Sequence, residues 1–510
     1  AIDASIPHPN EDIQKCACVS LEQLLTTYFP VGEKGPSDRL RTRVLDKFLK
    51  QLSSKNPAAT RGYCLALGHL PAKLLAPTCE SLDTTIRALS RASNPKAKVD
   101  GEGDAETRRN AVKALSRLVT TIVTSTINSR SNDSVRKYPI NPLTAEQCTR
   151  VVNAFLWSLE DYNVDRRGDV GSWCRMAAMD GLTSMVLLSD EVSDDESKHS
   201  IFVSLSGTKV VGGFIKQLSE KLDAVRVHAG VCLQKVLLRL DSKFPPIVGV
   251  PDLVSSLQLE NCSINFSWAE PKLVFQRVMK AAMVGEPSEG ETSVSYPYYG
   301  YVIAGIIISV GGKADSSEAT SALLEHAKQA KGTPTLHRLG RILVQLFERH
   351  SGVGRVTLPL LRSIEKLLTF GCIDELFVEN TEFAHPLLNL MESEIKTCRD
   401  IHRLFALGDV GGSLASAIPD GSKDGVKCLS FLCLLLGHTY PRVRSHVAQI
   451  LYLALNERSD LGGMDVEAAS TLVLETPWGS DLTPEEVTKF TADVEKILGF
   501  PKEGKGTSTS

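Results

Sequence analysis

Apolar residues along this chain recur at helical spacing. From Val170 they fall at Trp173, Cys174, Ala177, Ala178, Gly181, Leu182 and Met185, the i, i+3, i+4, i+7 series of a helix that buries one face. Ser172, Arg175, Asp180, Thr183 and Ser184 take the opposite face, and Asp169 stands where an N-cap is expected. The same design returns in SEKLDAVRVHAGVCLQKVLLRL, with Leu222, Val225, Ala229, Cys232, Leu233, Val236, Leu237 and Leu240 on one face, and in YPRVRSHVAQILYLAL, with Val443, Val447, Ile450, Leu451 and Ala454. TRGYCLALGHL and TRRNAVKALSRLV are weaker relatives of it.

Each of these helices opens near an arginine: Arg61, Arg109, Arg175, Arg226 and Arg444. Arg61 and Arg109 are 48 residues apart, and Arg175 and Arg226 are 51 apart. Those intervals lie just above the period of roughly 40–47 residues of HEAT and armadillo repeats. Hairpin dipeptides are lacking from the few extended runs. The pattern therefore predicts an all-α fold, a HEAT/armadillo-like α-solenoid of stacked antiparallel helix pairs, continuous over residues 1–499. Polar, Gly/Pro-rich connections are expected near 92–106, 190–200, 285–300 and 408–425, with a disordered tail at 500–510. The acidic run DEVSDDESKHS from Asp190 reads as a solvated loop.

Composition changes this picture little but excludes several functions. At 510 residues, length alone suggests several domains, an inference that fails for repeat proteins, which grow without adding separate cores. With 57 Lys plus Arg against 60 Asp plus Glu, the net charge is −3, which lacks the basic excess of a nucleic-acid binder. The longest apolar runs, Tyr301 to Val310 and Leu429 to Gly437, are about half the ~30 Å of a hydrocarbon core, so no membrane span is expected. The chain opens on AIDASIPHPNED without signal-peptide character, and its first methionine is Met176, so it reads as a fragment or a processed chain.

No catalytic, cofactor or metal constellation is expected. The 12 cysteines are scattered without CxxC or zinc-finger spacing and read as reduced core residues. Val310 to Asp315 carries Gly-Lys, but Ile307 and Ala314 stand where a phosphate loop needs glycine and a hydroxyl; Gly499 to Lys505 is followed by Gly506. HExxH and GxSxG are absent. Asp161, Asp165 and Asp169 would share a helical face, yet Asn163 and Gly168 favour a turn. The arginines divide in two. Arg175, Arg226 and Arg444 suit an Asp–Arg ladder between repeats or, alternatively, contacts to an acidic partner. Arg166 and Arg167, on the preceding turn, are less readily explained by packing. Arg166, Arg167, Asp169, Arg175, Arg226 and Arg444 are the candidate partner-binding residues, and Trp173 reads as a core residue between repeats.

With these segments in view, the chain resembles the C-terminal half of the tubulin-folding cofactor D family, also called tubulin-specific chaperone D. DYNVDRRGDVGSWCRMAAM carries most of the resemblance. RGYCLALGHLP, KLDAVRVHAG, VIAGIIISVGG, RVTLPLLRSIEKLL and LCLLLGHTYPRVR follow in the family's order, from about Ile13 to Pro501. The resemblance implies a cytoplasmic, microtubule-associated scaffold that takes β-tubulin after the chaperonin. It implies assembly and disassembly of the αβ-tubulin heterodimer together with tubulin cofactors C and E, promotion of GTP hydrolysis by tubulin, and binding of a small Arf-like GTPase. The family's N-terminal half has no counterpart here. Two rivals predict otherwise: a HEAT adaptor for unrelated transport or phosphatase partners, and a GTPase activator using Arg166 or Arg167 as an arginine finger.

Overall fold

The computed structural model describes residues 1–28, 38–75, 79–95, 104–131, 142–191, 206–238, 247–260, 267–287, 294–310, 316–377, 383–419, 422–457 and 465–500. Among these residues the chain is almost entirely helical, which bears out the all-α, HEAT-type class. The chain divides into two compact units, Ala1–Gly305 and Ile306–Ser510.

The first unit contains α1 (Ile2–Ser5), α2 (Glu11–Tyr28), α3 (Asp38–Gln51), α4 (Pro57–Gly68), α5 (Ala72–Leu75), α6 (Cys79–Ala92), α7 (Ala105–Ser131) and α8 (Ala145–Ser158). A two-strand hairpin follows, β1 (Val164–Asp165) and β2 (Gly168–Asp169), then α9 (Gly171–Glu191), α10 (Gly207–Leu218), α11 (Asp223–Leu237), α12 (Val250–Leu257) and α13 (Pro271–Ala282). A second hairpin pairs β3 (Glu286–Pro287) with β4 (Val294–Ser295) and leads into α14 (Tyr299–Ser309), within which the division falls. Packing is that of a two-layer stack. α4, α7, α9 and α11 form one layer, each against the next, while α6 rests on α3 and α8 in the other. Pairs α3/α4, α6/α7, α8/α9 and α10/α11 join the layers.

The second unit repeats the scheme with α15 (Ser316–Ala330), α16 (Pro334–Arg349), α17 (Gly354–Thr369), a 3-10 turn at Asp374–Phe377, α18 (Ala384–Thr397), α19 (Ile401–Ala417), α20 (Lys423–Leu436), α21 (Pro441–Asn456), α22 (Val466–Glu475) and α23 (Pro484–Ile497). Here α17, α19 and α21 stack in one layer, and α16, α18, α20 and α23 in the other.

Local chemistry explains where helices begin. Thr144 and Gln147 form a reciprocal capping box ahead of α8, and Thr483 with Glu486 does the same for α23. Asn56 caps α4 directly before Pro57, a residue suited to the first helical turn. The inward faces are mostly apolar. Phe155, Phe214, Phe275, Phe347 and Phe431 are almost wholly buried, each contributing about 1.5–3 kcal/mol through removal from water.

The expected connection at 408–425 is largely helix instead. Residues 408–417 continue α19, with Gly408, Gly411 and Gly412 buried. These glycines are packing positions rather than turn residues: a Cβ on Gly412 would sit 2.4 Å from Ile450 Cγ2 on α21. Likewise α7 begins at Ala105, inside the connection expected near 92–106, and the short β3–β4 pair occupies part of 285–300. Residues 192–200, most of the acidic run, and 501–510 of the expected tail lie outside the described residues. No described helix is long and apolar enough to cross a membrane.

Candidate functional site

The candidate arginines divide into a buried set and an exposed pair. On α9, Arg175 is fully buried. Its Nη1 donates to the Asp161 carbonyl at 2.7 Å and to Asp169 Oδ1 at 3.1 Å. Its Nη2 donates to Asp169 Oδ2 at 3.1 Å and to Glu220 Oε2 at 3.2 Å, and the guanidinium lies 4.7 Å from the Tyr162 ring centroid. Burial works against its charge, but Glu220 and Asp169 more than offset that and raise its pKa. On α11, Arg226 donates to the Glu220 carbonyl at 2.8 Å, the Trp268 carbonyl at 3.3 Å and the Ala269 carbonyl at 2.5 Å, and it pairs with Asp223. In the second unit, Arg444 on α21 donates to the carbonyls of His438, Thr439, Trp478 and Ser480 at 3.0–3.2 Å.

These three arginines are internal clasps. The C-terminal end of a helix leaves carbonyls without intrahelical partners. A guanidinium, with five donors in a fixed fork, satisfies the turn behind it and reaches the turn of the next repeat. As partner contacts, Arg175, Arg226 and Arg444 are therefore corrected: at 0%, 0% and 2% exposure they offer nothing to a partner. Asp169 is also inward, capping α9 by accepting from the Ser172 N–H at 3.1 Å while it holds Arg175.

Two clasps escaped the sequence reading. Arg108, next to the arginine that the repeat pattern singles out, pairs with the fully buried Asp161 (Nε to Oδ2, 2.7 Å). Arg403 pairs with buried Glu394 at 2.8 Å and reaches Cys398 Sγ at 3.0 Å. The doublet Arg108–Arg109 hides which member points inward. Arg403 follows Asp400, an N-cap of α19, and that spacing was the available signal.

The hairpin between α8 and α9 is an insertion. Arg226 and Arg444 each bond a carbonyl 6 residues earlier, whereas Arg175 bonds one 14 residues earlier. The difference of eight is the length of residues 162–169. The inserted strands pair Val164 with Asp169 and Asp165 with Gly168. Gly168 has φ 104°, a left-handed conformation that suits glycine. Gly171, at the hairpin's exit, lies so close to Asp161 that a Cβ would come 2.1 Å from its carbonyl oxygen.

At the tip Arg166 and Arg167 are both exposed but differ in their ties. Arg167 donates through Nη2 to Asp165 Oδ2 at 2.6 Å, pairs with Glu106 on α7, and stacks 5.1 Å from the Trp173 ring centroid. Arg109 approaches the same ring at 5.7 Å. Trp173 is thus half-buried between two guanidiniums, a cation–π arrangement rather than the core position expected. Glu106 also approaches Arg61 at 3.7 Å, and Arg61 pairs with Asp104. Burial pushes the Asp104 carboxyl up, but bonds from Arg61 and Thr107 help to outweigh it and leave the pKa at about 2. Arg166 is exposed, and among the described residues it has no ion pair. Val164, at 56% exposure, and Trp157, at 52%, present apolar surface on either side of the insertion's first residues.

Stacked helix pairs locked by buried arginines define a HEAT-type α-solenoid, a class whose extended surfaces bind other macromolecules. Within that class, residues 208–403 match the family model described as tubulin folding cofactor D C terminal. The chain is also similar to tubulin-specific chaperone D of Dictyostelium discoideum, at 22% identity over 473 residues, which is 87% of this chain and 30% of that protein. It therefore spans about 30% of that relative's length. Both findings bear out the resemblance drawn from the ordered sequence segments, three of which lie inside 208–403. Among solved structures, an engineered protein covers 89% of the chain and 97% of its own length at 15% identity and TM-score 0.28. Importin beta covers 98% and 62%, at 12% identity and TM-score 0.27.

Proposed function

We propose that this chain is part of a tubulin-folding cofactor, a scaffold that binds β-tubulin after the chaperonin and supports assembly and disassembly of the αβ-tubulin heterodimer. The observation that carries this reading is the family-model match over 208–403, together with similarity to tubulin-specific chaperone D along most of the chain. The finer parts of the proposal are cooperation with cofactors C and E, promotion of GTP hydrolysis on tubulin, binding of a small Arf-like GTPase, and a cytoplasmic, microtubule-associated location. In this reading the chain acts by holding its client, and the hydrolysis chemistry belongs to tubulin.

The inserted hairpin is the contact we assign. The clasp on Arg226 or Arg444 needs no such insertion, so the eight residues serve something beyond closing the turn. Arg166 supplies an uncommitted charge toward tubulin's acidic surface, and Val164 with Trp157 supplies apolar area. Arg167 is a weaker candidate because two carboxylates already neutralise it.

Co-elution of the 510-residue chain with β-tubulin released from chaperonin, at low and at moderate salt, tests the reading. A complex that weakens with salt and with Arg166→Glu supports it. Failure of the chain to retain β-tubulin or αβ-tubulin at either salt concentration refutes it. A complex indifferent to Arg166→Glu refutes the assigned contact only.

A further inference from the structure

Helices α9 and α11 pack against each other and bring three donor side chains together, Asp180 from α9 and His228 and Cys232 from α11. Their ligating atoms all lie within 4.8 Å of one another. His228 and Cys232 are four residues apart, the spacing that puts two side chains on one helical face. Burial is graded across the cluster: Cys232 is buried, His228 half-buried and Asp180 exposed. Asp180 Oδ1 lies 2.9 Å from His228 Nε2, yet the buried Nε2 makes no hydrogen bond. The axis along which that nitrogen donates a proton or binds a metal thus points past the carboxylate. Two ligands of one ion stand in that relation, because each aims at the ion and not at the other.

We propose that Asp180, His228 and Cys232 form a zinc site that staples α9 to α11. A nitrogen, a thiolate sulfur and a carboxylate oxygen are the three donor types zinc accepts. Bonds of about 2.0–2.3 Å put tetrahedral ligand atoms roughly 3.3–3.8 Å apart, so the cluster needs only side-chain adjustment to close on an ion. The exposed Asp180 side gives an entry path and leaves the fourth position to water. Zinc takes the place of a proton on the His228 ring, as metals do at histidine. Lys113 on α7 is a nearby cation that feels Asp180.

The test uses the full 510-residue chain, reduced and stripped of metal by a chelator, titrated with Zn²⁺ and with Co²⁺ as a visible probe. We expect one ion per chain at this site, a thiolate-to-cobalt absorption band, and a zinc-dependent rise in the thermal midpoint. Cys232→Ser removes the band, while His228→Gln and Asp180→Asn weaken binding at least about 10-fold. Because Asp180 is exposed, Asp180→Asn folds normally, and circular dichroism checks the other two. A wild-type chain that takes up no ion overturns the proposal. So does binding that is unchanged in Asp180→Asn and Cys232→Ser, which would place the ion elsewhere among the cysteines.

Discussion

Replacing Arg175 by methionine is the most direct challenge to the clasp. The substitution keeps the aliphatic volume but removes the cation between Asp169 and Glu220, whose side chains are 8% and 2% exposed. It also leaves the Asp161 carbonyl without its 2.7 Å donor. Breaking a buried ion pair from one side costs about 3–5 kcal/mol, because the remaining charge stays buried and unpaired. That is a large fraction of the roughly 5–15 kcal/mol that stabilises a domain. Urea unfolding followed by circular dichroism reads the loss, and hydrogen exchange on peptides from α9, α10 and α11 localises it to the neighbouring repeats. Adding Glu220→Gln should return about 1–3 kcal/mol, since it neutralises one stranded carboxylate, and the double-mutant cycle measures that coupling. Arg167→Met, at the exposed tip, should leave the urea midpoint unchanged within error. If Arg175→Met and Arg167→Met behave alike, the buried arginine is not a clasp and the argument fails.

Gly171→Ala should destabilise the first unit by about 1–3 kcal/mol or more, because its methyl group meets the Asp161 carbonyl; thermal melts against Gly354→Ala, whose added Cβ meets nothing nearer than 3.7 Å, check this. The Asp104 carboxyl titrates at about 2, below its ordinary 3.8. Its contribution to stability is therefore complete above about 4 and is lost as pH falls toward 2. Asp104→Asn should flatten that part of the acid-unfolding curve, and an unchanged curve would contradict the pairing with Arg61. Burial raises the thiols of Cys18, Cys64 and Cys148 to about 12, whereas Cys16 is exposed. Native alkylation followed by mass spectrometry should accordingly mark Cys16 well before those three.

What the sequence made legible follows from what periodicity encodes. A buried face recurring at 3.6 residues identifies helices such as α9, α11 and α21, and arginines recurring near the HEAT interval locate the second helix of a repeat. Direction within a turn is not encoded so plainly. Arg108 and Arg109 are adjacent and chemically identical, yet only Arg108 meets Asp161. Gly408, Gly411 and Gly412 suggested a connection because glycine usually marks one, while in α19 they let α20 and α21 approach closely. Trp173 looked like a core residue because its spacing is right, but two arginines lie over its ring. The Asp180–His228–Cys232 cluster was invisible for a further reason. Asp180 lies on another helix, 48 residues before His228, and only packing brings it to the His228–Cys232 pair.

The division between structural and functional arginines follows from the turn they inhabit. Arg226 and Arg444 close their turns by binding a carbonyl 6 residues back, and nothing more is required to join two helices of a pair. Arg175 performs the same task across a turn lengthened by eight residues. Two of the added residues are drawn inward, Tyr162 beneath the guanidinium and Asp169 as its counter-ion. Those in the middle, 163–168, are exposed. Arg167 is tied back to α7 and to Trp173, but ordering the rest of the tip costs conformational entropy without adding core. Selection against that cost would shorten the turn unless the tip met something. On this argument Arg166 is the residue to reverse in charge first, because its loss removes the tip's uncommitted cation and leaves every internal bond of Arg175 in place.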